Sequence, residues 1–292
     1  ADATGRSAKS VEYGKLFEEI KAAFAKAYIR SDGFVGTVDH YPSIPPPTIS
    51  PEAQSNNSKS VVETQTGYVL ALHMNLVPTQ LRAAAAEKLV QKIKDNHWLL
   101  GTGFLGTPYL LEVLSDTGHS DVAYRLLLNT EYPSWGYLVD HGATTMWERW
   151  NGDQMRGDPS MNSYNHYAYG AVAEWMYRYA AGIDTVAGDP GFHTIYLRPS
   201  FDSRLGSLAF TYDSTYGAVI SKWKVTGSDV AWNLTIPPNS TGLLPSDLVE
   251  AYSMTLRGQS LDRSREVLSK SGSYILPAGS YSFKASMKRG RP

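Results

Sequence analysis

Tyr167-Ala168-Tyr169-Gly170-Ala171-Val172-Ala173-Glu174-Trp175-Met176-Tyr177-Arg178-Tyr179-Ala180-Ala181-Gly182 decides the fold class, because the apolar period changes at its end. Before Gly182, Tyr169, Val172, Trp175, Met176 and Tyr179 return every three or four positions. That spacing predicts a helix from about residue 164 to Ala180, apolar on most sides. After Gly182 the period falls to two. Ser207–Tyr212 and Tyr216–Val225 alternate around a turn at Asp213-Ser214-Thr215, which reads as a hairpin. Val230–Ile236 is a further strand, stopped by Pro237-Pro238, and Tyr281–Met287 closes the set. Short strands at regular spacing suggest an antiparallel sandwich. Helices first and strands second mean two adjoining domains rather than an alternating α/β fold. The reading is helical over 1–185 and β-sandwich over 186–292.

Upstream the helical period holds. Val11, Phe17, Ile20, Phe24 and Ala27-Tyr28 form an apolar stripe between Lys and Glu. Tyr41-Pro42-Ser43-Ile44-Pro45-Pro46-Pro47 then ends any helix, and Pro42–Ser58 reads as a long loop or clamp. Helical patterning resumes at Thr64 and runs through His73. Pro78 opens the next helix, which reaches about Lys94. A glycine-rich turn, Gly101–Pro108, leads into Tyr109–Leu114, and Gly118 precedes a helix over His119–Asn129.

Composition excludes several function classes. The 292 residues carry a net charge of −1 and no long basic run, so nucleic acid is not an expected partner. With no Cys, thiol catalysis, disulfides and cysteine metal sites are absent, and the compartment stays open. No apolar stretch is long enough to span a bilayer. The first residues, Ala1–Arg6, do not read as a signal peptide. No His/Asp cluster reads as a zinc site. Gly101-x-Gly103-x-x-Gly106 matches a dinucleotide fingerprint by letters but has no preceding strand. The expectation is therefore no cofactor and no metal. Sequons stand at Asn56, Asn233 and Asn239.

The chemistry concentrates in Gly142-Ala143-Thr144-Thr145-Met146-Trp147-Glu148-Arg149-Trp150. One carboxylate sits between two indoles, beside a guanidinium. Such a Glu148 is either half of an ion pair with Arg149 or a lysine, or a working acid–base. Aromatic walls around a carboxylate suit a sugar, whose C–H faces pack on rings while its hydroxyls need acceptors. His166, in Asn165-His166-Tyr167, is a candidate for a sugar hydroxyl or a structural group. Trp135 and Trp147 are candidate substrate-contacting rings, with core packing the more common role for a residue such as Trp135, and Arg149 could steer Glu148 or a hydroxyl.

Gly101-Thr102-Gly103-Phe104, Gly142–Trp150, Ser163-Tyr164-Asn165-His166-Tyr167 and Gly170–Trp175 follow one another in this order. Together with Pro190-Gly191-Phe192, Arg198-Pro199 and Ile236–Asn239, this resembles the C-terminal half of the α-L-rhamnosidases of glycoside hydrolase family 78. The likeness runs from about Ser10 to Phe283. It implies an (α/α)6 barrel followed by a jelly-roll-like β domain, and an inverting mechanism. It implies that Glu148 is the general base and that His166 contacts bound rhamnose. The partner would be a rhamnosyl glycoside or a rhamnose-containing oligosaccharide. Such a barrel takes twelve helices, whereas this sequence reads as about six. The family's general acid has no match here. The expectation is a half-barrel that needs its missing N-terminal half or a second chain. Two other readings stay open: a non-catalytic carbohydrate-binding fragment, and a hydrolase or phosphorylase of different sugar specificity on the same barrel.

Overall fold

The computed structural model describes residues 4–37, 63–158, 160, 163–270 and 272–287. The Pro42–Ser58 loop and Asn56 lie outside them. Packing divides the chain into two compact units, Ala1–Tyr169 and Gly170–Pro292.

The first unit is helical. It carries α1 (Ser7–Tyr28), α2 (Gln65–His73), α3 (Arg82–Asp95), α4 (Thr107–Asp116), α5 (Ser120–Leu127) and α6 (Trp135–Asp140). Helix α2 is capped by Thr64, whose hydroxyl accepts from the Gly67 N–H. It packs on α3 and α4, and α4 packs on α5. Tyr68, Leu72, Leu89, Ile93, Leu110, Leu114, Tyr124 and Leu126 form the core. Helix α1 is different. Its sequence has the stripe of an amphipathic helix, yet none of its residues is buried. Val11 is 75% exposed and Ile20 is 50% exposed.

Glu63 ties α2 to α3. It accepts from the Tyr68 hydroxyl at 2.5 Å and from Lys92 Nζ at 2.9 Å. Burial alone would raise its pKa, but these two donors outweigh burial and hold the carboxyl below its usual value. Because the folded-state pKa is depressed, the stabilisation is present above the unfolded value and is lost as pH falls through the folded one. Tyr68→Phe removes one donor. It is expected to cost about 1–2 kcal/mol at neutral pH and less in acid, and urea unfolding at several pH values checks this. An unchanged midpoint at pH 7 would sink the idea.

The second unit opens with a helical segment of changing pitch: a 3-10 turn at Ala168–Ala171 leads in, α7 (Val172–Trp175) follows, and a π-turn at Met176–Ala180 ends it. The sequence predicts one regular helix from about residue 164. The structure starts it later and widens its last turn. Two sheets follow. One has the order β1-β2-β6-β9-β8, from β1 (Ile183–Thr185), β2 (Thr194–Leu197), β6 (Thr241–Pro245), β9 (Ser273–Leu276) and β8 (Leu268–Lys270). The other has the order β3-β4-β5-β10-β7, from β3 (Ser207–Ser214), β4 (Gly217–Thr226), β5 (Asp229–Ile236), β10 (Gly279–Ser286) and β7 (Thr255–Leu256). A short helix, α8 (Ser246–Ala251), follows β6. Pairing among the described strands is antiparallel except between β2 and β6, which run parallel. The predicted hairpin is β3–β4, with Ser214 opposite Gly217.

Alternation along β5 buries Val230, Trp232, Leu234 and Ile236 and exposes Asp229, Ala231 and Asn233. Trp232 stacks on Phe283 of β10 at 4.9 Å. The helix end is tied into this sheet by its own unfilled carbonyls. Trp223 Nε1 donates to the Ala180 carbonyl at 2.8 Å, and the Ser221 hydroxyl donates to the Ala181 carbonyl at 2.6 Å. The last helical residues therefore pack with strands, which is why the packing boundary falls before residue 185.

Candidate active site

The Glu148 segment follows α6 in the helical unit. Ser134, fully buried, caps that helix by accepting from the Tyr137 N–H at 3.0 Å. Gly142 turns the chain with φ +81°, in the left-handed region that costs glycine little. The chain then passes residues 163–166 as an irregular, bent segment joined to them by hydrogen bonds. Glu148 N–H donates to the Ser163 carbonyl at 3.1 Å, and His166 N–H donates to the Met146 carbonyl at 2.7 Å. The Thr145 hydroxyl donates to the Tyr164 carbonyl. This short ladder joins the irregular segment that carries Glu148 to the one that carries His166.

Behind Glu148 the indoles are buried. Trp147 is 4% exposed and lies against Gly152, where an added Cβ would come within 2.6 Å of the ring. The Tyr164 ring meets Trp147 edge-on, and the Tyr164 hydroxyl donates to the Gly152 carbonyl. Trp150 stacks on Tyr169 at 3.9 Å and meets Trp135 edge-on at 5.5 Å. Trp135 is 7% exposed, and its indole N–H donates to the Tyr169 carbonyl at 2.9 Å. Trp135 and Trp147, read from sequence as candidate substrate-contacting rings, are thus the packed wall that supports the loop.

Glu148 is half-buried, with its Oε2 atom out of solvent. Its charge is felt nearby: burial first, then Tyr132 and Glu148, push the Tyr169 phenol above its usual pKa, while Arg149 opposes them. Arg149 is exposed and donates from Nη2 to the Ser160 carbonyl at 3.0 Å. Ser160 N–H in turn donates to Asp158, and this bond, with Arg149 nearby, holds the Asp158 carboxyl below its usual range. Arg149 thereby ties its own segment to Ser160. Asp153, another nearby carboxylate, accepts from the Tyr137 hydroxyl at 3.1 Å.

His166 is half-buried in a stack of rings. Phe104 lies 4.7 Å away on it, and Tyr167 lies 5.3 Å away. Ala168 N–H donates to Nδ1 at 3.2 Å, so the neutral ring carries its proton on Nε2. That leaves Nε2–H as the donor of the ring. Phe104 had no assigned role in the sequence reading. It stands on the glycine-rich loop that buried Gln65 holds: Gly101 N–H donates to Gln65 Oε1 at 2.8 Å, and Gln65 Nε2 donates to the Leu99 carbonyl at 3.2 Å. Phe104, Tyr132, Tyr164 and Tyr167 are exposed, at 42%, 49%, 37% and 86%. These are the open aromatic faces of this part of the unit. The signal for Phe104 was its place between glycines, where a large apolar residue has no core to enter.

Among the described residues, no group of three or more His, Asp or Glu could hold a metal ion. No helix among them is long and apolar enough to cross a membrane.

A half-buried carboxylate and a half-buried imidazole, on segments joined by backbone hydrogen bonds and with exposed aromatic rings in the same unit, suit a saccharide. Comparison with known proteins identifies the family. Residues 1–180 match the bacterial alpha-L-rhamnosidase 6 hairpin glycosidase domain. The chain belongs to this family. Residues 182–252 match the bacterial alpha-L-rhamnosidase C-terminal domain. An alpha-L-rhamnosidase of Streptomyces avermitilis is 43% identical over 250 residues, covering 84% of this chain and 22% of the relative. One from Formosa agariphila is 37% identical over 258 residues, covering 86% of this chain and 25% of the relative. The structure of the Streptomyces avermitilis enzyme complexed with L-rhamnose superposes with a TM-score of 0.72 at 39% identity, over 94% of this chain and 24% of that one. An alpha-L-rhamnosidase structure from Dictyoglumus thermophilum gives 0.75 at 28% identity, over 98% and 30%. The chain thus spans less than a third of the length of these rhamnosidases.

Proposed function

We propose that this chain carries the general-base side of an inverting α-L-rhamnosidase active site. The observation that carries the reading is the backbone ladder that joins Glu148 to Ser163 and His166 to Met146. It supports the reading by joining the segment that carries Glu148, the proposed acceptor for a water proton, to the segment that carries His166, the proposed donor to a sugar hydroxyl. The family membership and the L-rhamnose bound in the Streptomyces avermitilis structure support rhamnose as the sugar.

In this mechanism a terminal α-L-rhamnosyl unit lies over the rings around His166. Glu148 takes a proton from a water molecule. The oxygen of that water bonds to the anomeric carbon from the face opposite the leaving group, and the glycosidic C–O bond breaks. The leaving oxygen takes a proton from a second carboxyl group, about 6.5–9.5 Å from the first in an inverting enzyme. Asp153 and Asp158 are engaged with Tyr137 and Ser160, which makes them poor donors. We assign the acid to a segment outside residues 1–292. His166 donates from Nε2 to a sugar hydroxyl, and Arg149 keeps the Glu148 loop in place.

The decisive test is the first anomer released from an aryl α-L-rhamnoside, read by proton NMR. Inversion gives β-L-rhamnose; initial α-L-rhamnose would refute the mechanism. The 292-residue chain alone is expected to show no useful turnover, and joining it to the upstream part should restore activity. Robust turnover by the chain alone would place the acid within it, with Asp140, Asp153 and Asp158 the first residues to test.

His166→Ala in the active enzyme is expected to raise KM and lower kcat, together about 10–100-fold in kcat/KM, the worth of one or two good hydrogen bonds in a desolvated site. The pH profile should keep its shape, because His166 binds rather than transfers a proton. Unchanged kcat/KM would reduce His166 to a structural ring between Phe104 and Tyr167.

A further inference from the structure

The C-terminal unit holds an open cleft of ≈ 560 Å³ between the π-turn, β1, the loop before β2, and β3. Three half-buried aromatic side chains line it: Tyr177, Phe192 and Tyr212. The Phe192 and Tyr212 rings lie 4.3 Å apart, and Tyr177 meets Tyr212 edge-on at 6.1 Å. The polar lining comes from Glu174, Arg178 and Asp184. Arg178 Nε donates to Asp184 at 2.9 Å, and Nη1 donates to Glu174 at 3.3 Å.

Two local distortions build this lining. Tyr177 and Arg178 stand on the π-turn Met176–Ala180, a rare geometry concentrated at functional sites. Phe192 has φ +67°, unfavourable for a bulky side chain. Neither distortion fills the core, since both aromatic rings face the cleft. Backbone strain of this kind persists where a side chain must be aimed.

The chemistry of the lining selects a ligand class. Rings offer the C–H face of a pyranose a surface to pack on. Two carboxylates and a guanidinium, joined by hydrogen bonds, match the adjacent hydroxyls of a sugar. Two carboxylates against one guanidinium leave a net negative lining, which disfavours uronates and phosphates. We propose that this cleft is a non-catalytic subsite for a neutral pyranosyl unit of an oligosaccharide. It uses no residue of the Glu148 segment, so it does not rest on the rhamnosidase reading.

The test is isothermal titration of the 292-residue chain with a neutral rhamnose-containing trisaccharide, with trigalacturonate as the charged probe. Far-UV circular dichroism confirms the fold of each variant. Phe192→Gly suits the backbone at this φ and removes only the ring; Tyr177→Ala removes the second wall. Each is expected to weaken trisaccharide binding about tenfold, the worth of one ring contact. Trigalacturonate should bind at least about tenfold more weakly than the trisaccharide. Absence of binding to the unaltered chain would overturn the proposal. So would full affinity in folded Phe192→Gly, equal affinity for trigalacturonate, or loss of binding in His166→Ala alone, which would move the sugar to the Glu148 site.

Discussion

Glu148→Gln is expected to lower kcat on an aryl α-L-rhamnoside by about 10²–10⁴-fold in the active enzyme. The amide keeps the size of the side chain but accepts no proton from water. Its folding cost should be small, because the bond that fixes residue 148 to Ser163 is made by the backbone. Turnover and stability should therefore separate: the melting temperature holds while the rate collapses. A second readout isolates the base. Azide attacks without losing a proton, so it should restore turnover to Glu148→Ala and give a rhamnosyl azide. Near-normal kcat in folded Glu148→Gln would remove Glu148 from the reaction. Failure of azide together with a lowered melting temperature would reassign it to structure.

Gly182→Ala is expected to cost the C-terminal unit about 3–5 kcal/mol, combining left-handed backbone strain with overpacking. Gly182 has φ +69°, and a Cβ there would lie 2.1 Å from the Pro199 nitrogen. That neighbour is backbone and cannot rotate away. The Gly182 carbonyl also accepts from the Arg198 N–H at 3.2 Å, so a shift of Gly182 disturbs the start of the β1–β2 pairing. Thermal or urea unfolding checks the magnitude. A change below about 1 kcal/mol would mean that the junction has room to relax.

The same glycine marks where the fold was legible. A change of apolar period needs only local spacing, so the helical half and the β half could be read on either side of it. Strands β3, β4, β5 and β10 follow for the same reason, since each buries alternate residues. Glu148 and His166 stood out as candidates through their unusual neighbours and the family resemblance. The pairing of their segments was not legible, because it rests on hydrogen bonds between irregular stretches that carry no period. Core packing was the more common expectation for Trp135 and is what its burial shows, whereas Trp147, flanking Glu148, was read toward the sugar because sequence does not say which face of a loop turns inward. Phe104 was passed over because its partner, His166, lies more than fifty residues on. The π-turn was hidden as well, since one extra residue in a turn leaves the three-to-four spacing almost unchanged. In α1 the stripe is that of a core-facing helix, but packing depends on a partner surface, which the helix's own sequence does not contain.

The parallel pairing of β2 with β6 has a consequence for the order in which this unit assembles. Residues 198–240 lie between the two strands, and they contain the whole β3–β4–β5 meander. The meander joins neighbours through tight turns, so each step closes a short loop. Pairing β2 with β6 closes a long one, at a larger entropic cost. That cost shrinks once the meander is folded, because the intervening chain is then already compact. One sheet thus serves as the template for the other. The β3–β5 ladder nucleates, and the β1–β2–β6 edge zips up afterwards. Amide protons of β4 and β5 should gain protection during refolding before those of β2 and β6.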